Sequence, residues 1–224
     1  MKQLFSIILL FSSISMTVHA QELSYDIEVG MAVGKQVPRY DATSSWGIGI
    51  RAGGNVHYTL PCQVVFSSGL FFEQKRTELD GKTMYSPDIN TGWDRMWTKV
   101  HRLNYLQLPL LAGYDIDCGG DVSICPQIGF FVDYGIGGKQ TIYDFTTLDA
   151  PEYPFENTRD YTNNPFKVQE VSTYSRWDMG LMLALRISYH KIGIKVGYEK
   201  GFIRTGGIYD PLTRTWNIGM TYML

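Results

Sequence analysis

The sequence predicts an all-β fold: an eight-stranded antiparallel transmembrane β-barrel, an up-and-down meander with long external loops and short periplasmic turns. The first sign is a dyad pattern, clearest at 177–189. There Trp177, Met179, Leu181, Leu183, Leu185, Ile187 and Tyr189 alternate with Asp178, Gly180, Met182, Ala184, Arg186 and Ser188. The second is that the pattern recurs along the chain with aromatics at both ends of each apolar band, which makes lipid, rather than a protein core, the solvent of that face. The third is an alternation of long and short connections, expected when both termini lie on the periplasmic side.

Strand by strand the pattern is explicit. Ser24 to Gly34 points Tyr25, Ile27, Val29, Met31 and Val33 outward, and Ser45 to Thr59 does the same with Trp46, Ile48, Ile50, Ala52, Val56 and Tyr58. Gln63 to Thr77 offers Val64, Phe66, Leu70 and Phe72, and His101 to Asp115 offers Leu106, Leu108, Leu110, Ala112 and Tyr114. Ile124 to Thr141 carries Ile128, Phe130, Val132, Tyr134 and Ile136 outward. Ile192 to Phe202 carries Ile194, Val196 and Tyr198, and Arg214 to Leu224 carries Trp216, Ile218, Met220, Tyr222 and Leu224. Trp46, Trp177 and Trp216 then fall at the external level and Tyr25, Tyr58, Tyr114, Tyr189 and Tyr222 at the periplasmic level, as interfacial girdles require.

The connections 35–44, 78–100, 142–173 and 203–213 are expected as external loops. Leu60 to Cys62, Ile116 to Ser123, and His190 with Lys191 are expected as periplasmic turns. The N-terminus reads as a secretory signal peptide over 1–20: Lys2, an apolar run from Leu4 to Phe11, and a small-residue cleavage site at Val18, His19 and Ala20. The barrel domain is then 21–224. Composition is compatible with these expectations: 44% hydrophobic residues, 15 Tyr and 23 Gly, with a mean hydropathy of -0.13 that hides membrane insertion because polar and apolar residues alternate. A net charge of -2 with scattered Lys and Arg gives no support to nucleic-acid binding.

The segment Tyr105-Leu106-Gln107-Leu108-Pro109-Leu110-Leu111 resembles the Y-L-x-[IL]-P-L-L segment on the fourth strand of the small outer-membrane β-barrel family common in Bacteroidota, the PorT-like group. The resemblance covers essentially the whole mature chain, with glycine-laced strands and a final strand from Trp216 to Leu224. It implies an integral outer-membrane barrel of the size of OmpA- and OmpX-type barrels. Most relatives of this kind have no defined activity, and a minority resemble accessories of a protein-secretion machine. Pro109, inside a strand, is expected to face the lumen at a bend or bulge.

Eight strands enclose an interior only just wide enough for side chains. The inward set holds Asp26, Glu28, Glu73, Asp133, Asp178 and Glu199 with Arg51, Lys75, Lys139, Arg176, Arg186 and Lys195, and buried charges persist when paired. A salt-bridged plug is expected; a proton-relay or conducting role is the alternative. Of the three cysteines, Cys118 and Cys125 form the favoured disulfide, and Cys62 with Cys118 is the other feasible pair. No metal and no cofactor are expected. No enzymatic activity is expected either, because no nucleophile–base set converges; an acid–base group of Asp88, Asp94 and His101 at the external rim is the enzymatic alternative.

The 142–173 loop is acidic and aromatic. Tyr143, Phe145, Tyr153, Phe155 and Tyr161, with Trp93 and Trp97 of the 78–100 loop, are candidate recognition residues for an envelope protein or a glycan; the alternative is that they pack the loops as a lid. The expected protein is a monomeric, non-enzymatic barrel surrounded by outer-membrane lipid and lipopolysaccharide and acting through its loops, or an accessory subunit of a secretion or transport complex.

Overall fold

Period-two alternation builds strands too long for a soluble sandwich, and the chain closes them on themselves. The computed structural model describes residues 22–39, 42–85, 93–147, 155–161, 166, 174–204 and 212–224; at 42, 81–85, 93–99, 142–147 and 155–161 it describes the backbone. The strands are β1 (Glu22–Val37), β2 (Ala42–Thr59), β3 (Val64–Tyr85), β4 (Trp93–Tyr114), β5 (Ile116–Asp117), β6 (Val122–Thr147), β7 (Phe155–Tyr161), β8 (Trp177–Tyr189), β9 (Ile192–Gly201) and β10 (Leu212–Met223). The order runs β4-β3-β2-β1-β10-β9-β8-β6, all antiparallel, and β4 pairs with β6 to close an eight-stranded barrel. β5 is a short spur on the periplasmic end of β6, and β7 pairs with the external end of β6.

Lipid and lumen faces separate cleanly. In β8 exposed and buried residues alternate without exception from Trp177 to Tyr189. Outward residues such as Val29, Ile48, Leu70, Phe130, Ile194 and Met220 stay exposed, while Asp26, Glu28, Arg51 and Glu73 are buried. The girdles are where the sequence puts them. At the external level Tyr134 packs against Trp177 and Tyr198 against Trp216, each with ring centroids 4.8 Å apart, and the Lys35 ammonium lies 4.8 Å from the Trp46 ring.

The external connections differ from the expected loops. Residues 78–85 and 93–100 remain paired as a continuation of the β3–β4 hairpin, with Tyr85 opposite Trp93. β6 continues to Thr147 and folds back as β7, with Thr146 opposite Phe155. Hydrogen-bonded pairs thus replace much of the predicted loop, because a strand leaving the bilayer still needs partners for its backbone groups. The first connection is also shorter than 35–44, since β1 reaches Val37 and β2 begins at Ala42.

One bulge has a large consequence. Tyr105 pairs with Gly135 but Asn104 with Gly137, so Ile136 is an extra residue in β6. The alternation slips by one beyond it, and Lys139, expected inside, is exposed while Gln140 is buried. Pro109 faces inward as expected, but without a bulge: the β3–β4 ladder is recorded on both sides of it, from Ser68–Leu110 to Phe71–Gln107, in unchanged register.

Close strand approach relies on glycine. A Cβ on Gly180 would overlap the Lys200 carbonyl oxygen, and one on Gly49 the Gln74 carbonyl oxygen. Gly180→Ala is therefore expected to lower unfolding stability by ~1–3 kcal/mol. Gly137→Ala, where a Cβ meets nothing within 4 Å, is expected to leave the urea midpoint of the lipid-embedded protein unchanged.

Candidate functional site: the charged lumen and its external cap

Inward positions of six barrel strands converge on Arg51. Its Nε donates to Glu28 Oε1 at 3.0 Å, and its Nη1 donates to Glu73 Oε2 at 2.6 Å and to Gln107 Oε1. Glu199 Oε1 lies 3.5 Å from the same nitrogen and also accepts from Gln107 and Asn217. The guanidinium carbon sits 3.9 Å from the centre of the Phe71 ring, a cation–π contact that covers its remaining face. Glu73 and Asp133 are fully buried, so these contacts replace water as the solvent of the charges.

Two further groups flank this centre. Toward the exterior, Lys75 Nζ donates to Asp133 Oδ2 at 2.6 Å and lies 3.5 Å from Glu199 and 3.8 Å from Glu73. The rings of Phe131 and Tyr105 lie 5.0 and 5.4 Å from its ammonium, and Asp178 accepts from the Thr213 hydroxyl beside them. Toward the periplasm, His57 Nε2 lies 2.7 Å from Asp26 Oδ2 and its Nδ1 2.7 Å from Ser67 Oγ. Asn55 donates to Asp26 at 2.6 Å, and Arg186 approaches Asp26 at 3.6 Å. Lys195 joins the groups by donating to Glu28 Oε2 at 3.1 Å.

The external mouth is capped by aromatics. Phe166 is buried and its ring occupies the space a Cβ on Gly135 would need. It packs edge-on against Tyr105, centroids 5.6 Å apart. Tyr174 lies edge-on to His101 with its hydroxyl 3.3 Å from Nε2.

Of the expected lumen residues, Asp26, Glu28, Arg51, Glu73, Lys75, Asp133, Asp178, Arg186, Lys195 and Glu199 are brought together. Arg176 is not: it precedes the first residue of β8, where alternation has not begun, and its guanidinium reaches Tyr134 on the outer wall. His101, expected on the rim, is fully buried under Tyr174. Asp88 lies outside the described residues, as does Tyr153; Asp94, Trp93 and Trp97 lie on β4, Tyr143 and Phe145 on β6, and Phe155 and Tyr161 on β7.

The expected Cys118–Cys125 bridge is not formed, and all three cysteines are free thiols. Ile116 pairs with Ile124 and Asp117 with Ser123, and the Cys118 amide donates to Val122. Cys125 is thus three strand residues farther along, roughly 10 Å, and buried, whereas Cys118 is exposed. That separation exceeds disulfide geometry. Sequence reasoning also missed Phe71, Phe166 and Tyr174 as lumen residues; the parity of Phe71 with Glu73 could have placed the first, and no periodic signal marks the other two.

A closed antiparallel barrel with an apolar band, two aromatic girdles and a charged interior defines an integral outer-membrane β-barrel protein. The family model of the outer membrane protein beta-barrel domain, OMP_b-brl_2, matches residues 19–205, and the chain belongs to that family. No match is found among curated proteins. Among solved structures the chain is similar to Neisserial surface protein A of Neisseria, at 13% identity and TM-score 0.37, covering 90% of this chain and 98% of that one. It is also similar to Ail, the attachment invasion locus protein of Yersinia pestis in complex with the heparin analogue sucrose octasulfate, at 13% identity and TM-score 0.36, covering 91% and 99%.

Removing the shared cation should strand several buried carboxylates at once. Arg51→Met is expected to cost ~3–5 kcal/mol of unfolding stability, read by tryptophan fluorescence in a urea titration. Arg176→Met, on the outer wall, is expected to shift it by less than ~1 kcal/mol.

Proposed function

We propose that this protein is a non-enzymatic outer-membrane barrel of the PorT-like kind, exported by its 1–20 signal peptide, whose lumen is plugged by ion-paired side chains and whose external hairpins bind a partner. The plug is supported by the mutual pairing of Arg51, Lys75 and Lys195 with the inward carboxylates and by Phe166 and Tyr174 above them. The absence of catalysis is supported by the position of His101, turned inward beneath Tyr174 instead of facing a substrate on the rim.

One observation carries the binding role. On β3 the last apolar lipid-facing residue is Phe72, followed outward by Gln74, Arg76 and Glu78, yet the strand runs on to Tyr85. β4 and β6 continue similarly and β7 joins them, so a four-stranded wall rises from one side of the barrel. At ~3.4 Å per residue β3 runs roughly 27 Å past Thr77, the partner of the girdle residue Trp46. β1, β8, β9 and β10 end nearer the membrane by comparison, and β2 stays paired with β3 as far as Ala42 opposite Gly81. A one-sided wall adds nothing to barrel closure, and its surface is available for recognition. A protein or glycan of the cell envelope or its surroundings is the proposed partner.

Replacing 80–98 and 143–158 by two-residue Asn-Gly turns leaves the barrel staves intact. In-cell crosslinking followed by mass spectrometry is expected to recover at least tenfold less of the wild-type partner with the trimmed protein, while heat-modifiable migration persists. Equal recovery by both forms would overturn the hairpin reading. A stoichiometric partner held equally by the trimmed form would indicate a subunit of a secretion or transport complex bound through the periplasmic turns.

A further inference from the structure

Cations on the outer wall gather in rows at the external rim. Lys200 of β9 stands directly opposite Arg214 of β10, and Arg214 directly opposite Lys35 of β1. The same arrangement recurs on another wall, with Arg76 opposite Arg102 and Arg102 opposite Lys139. Like charges at directly opposed positions repel. Among the described residues no carboxylate pairs with Lys35, Arg214 or Lys200, in contrast to the densely paired cations of the lumen.

Depth identifies what would neutralise them. Two residues below Arg214 lies Trp216, flanked by Val33 and Tyr198, so the row sits one outward step above the external aromatic girdle. Ile218 and Val196 continue the apolar wall beneath it. That level is where lipid head groups meet the hydrocarbon. A row of cations directly over an apolar wall complements an amphiphile with an anionic head and acyl chains, whereas an acidic protein segment would leave the wall below uncovered. The row crosses three strands, about 10 Å, and combines a bidentate guanidinium with two point charges, a set suited to more than one phosphate. The periplasmic ends of the same strands present Leu23, Tyr25, Tyr222, Leu224 and Ile192, with Lys191 alone in the adjoining turn. The asymmetry assigns the ligand to the outer leaflet.

We propose that Lys35, Arg214 and Lys200 form a binding site for the phosphorylated head group of the outer-leaflet glycolipid, the lipid A portion of lipopolysaccharide. The inference rests on the barrel and its orientation in the proposed function, and gives its lipid partner a place on the wall between β9 and β1.

Native mass spectrometry of the detergent-solubilised full chain tests it with bisphosphorylated lipid A, the same lipid dephosphorylated, and phosphatidylglycerol. Wild type is expected to retain the bisphosphorylated form at least tenfold more than the dephosphorylated one. K35Q/R214Q/K200Q is expected to lose that preference, and the charge-preserving K35R/R214K/K200R to keep it. Unchanged retention by the glutamine variant, or equal retention of the dephosphorylated lipid, would overturn the site. Stronger retention of phosphatidylglycerol than of lipid A would overturn its assignment to the outer leaflet. Heat-modifiable migration of each variant separates these outcomes from failure of the barrel reading itself.

Discussion

Inside eight strands there is room for side chains and little else, so every inward charge must find its counter-charge across the barrel. Arg51 meets that constraint for the central layer. It joins Glu28 of β1, Glu73 of β3 and Glu199 of β9, with Gln107 of β4 supporting the last. Strands far apart in sequence are thereby tied through the lumen as well as around the wall. The small inward residues follow from the same crowding: at Gly49 and Gly180 the neighbouring backbone, the Gln74 and Lys200 carbonyls, occupies the space a Cβ would take.

The two faces of each strand answer to different solvents. Outward residues meet hydrocarbon and need no partners, hence a wall of Val, Ile, Leu, Phe and Met bounded by Trp and Tyr. Inward residues meet one another. Past the external girdle the division ends, the outward side chains become Lys35, Arg76, Arg102, Lys139, Lys200 and Arg214, and the wall of β3, β4, β6 and β7 continues into solvent. Fold, charged rim and projecting wall are thus consecutive levels of the same strands, and the surfaces proposed for binding lie where lipid stops dictating the sequence.

Much of this was legible in the chain, because lipid enforces alternation so strictly. The registers of Tyr25 to Met31 and of Trp177 to Tyr189 follow from period two alone, and ten of the inward charges follow from the same parity. What failed did so at breaks in that period. Lys139 lies beyond the bulged Ile136, where Gly135, Gly137 and Gly138 interrupt the alternation; Arg176 lies before its strand begins; His101, expected at the external rim as the first residue of its strand, keeps inward parity and is buried beneath Tyr174. The paired extensions at 78–85 and 142–147 mix polar, charged and aromatic residues with no unbroken apolar row, so hydrophobic alternation is silent there. Cys118 and Cys125 are close in sequence, and only the register of the β5–β6 turn separates them. The cation rows were invisible for another reason: Lys35, Arg214 and Lys200 meet only through strand pairing.

A plugged barrel requires a lumen filled and neutralised by its own side chains. Planar-bilayer recording of the purified, folded protein in concentrated potassium chloride tests this most directly. The paired Arg51 and Lys75 centres beneath the Phe166 and Tyr174 cap predict an electrically silent barrel with no discrete steps. Reproducible, ohmic single-channel steps from the wild-type barrel, enlarged when Arg51 or Phe166 is truncated, would contradict it and identify the lumen as a conduction path.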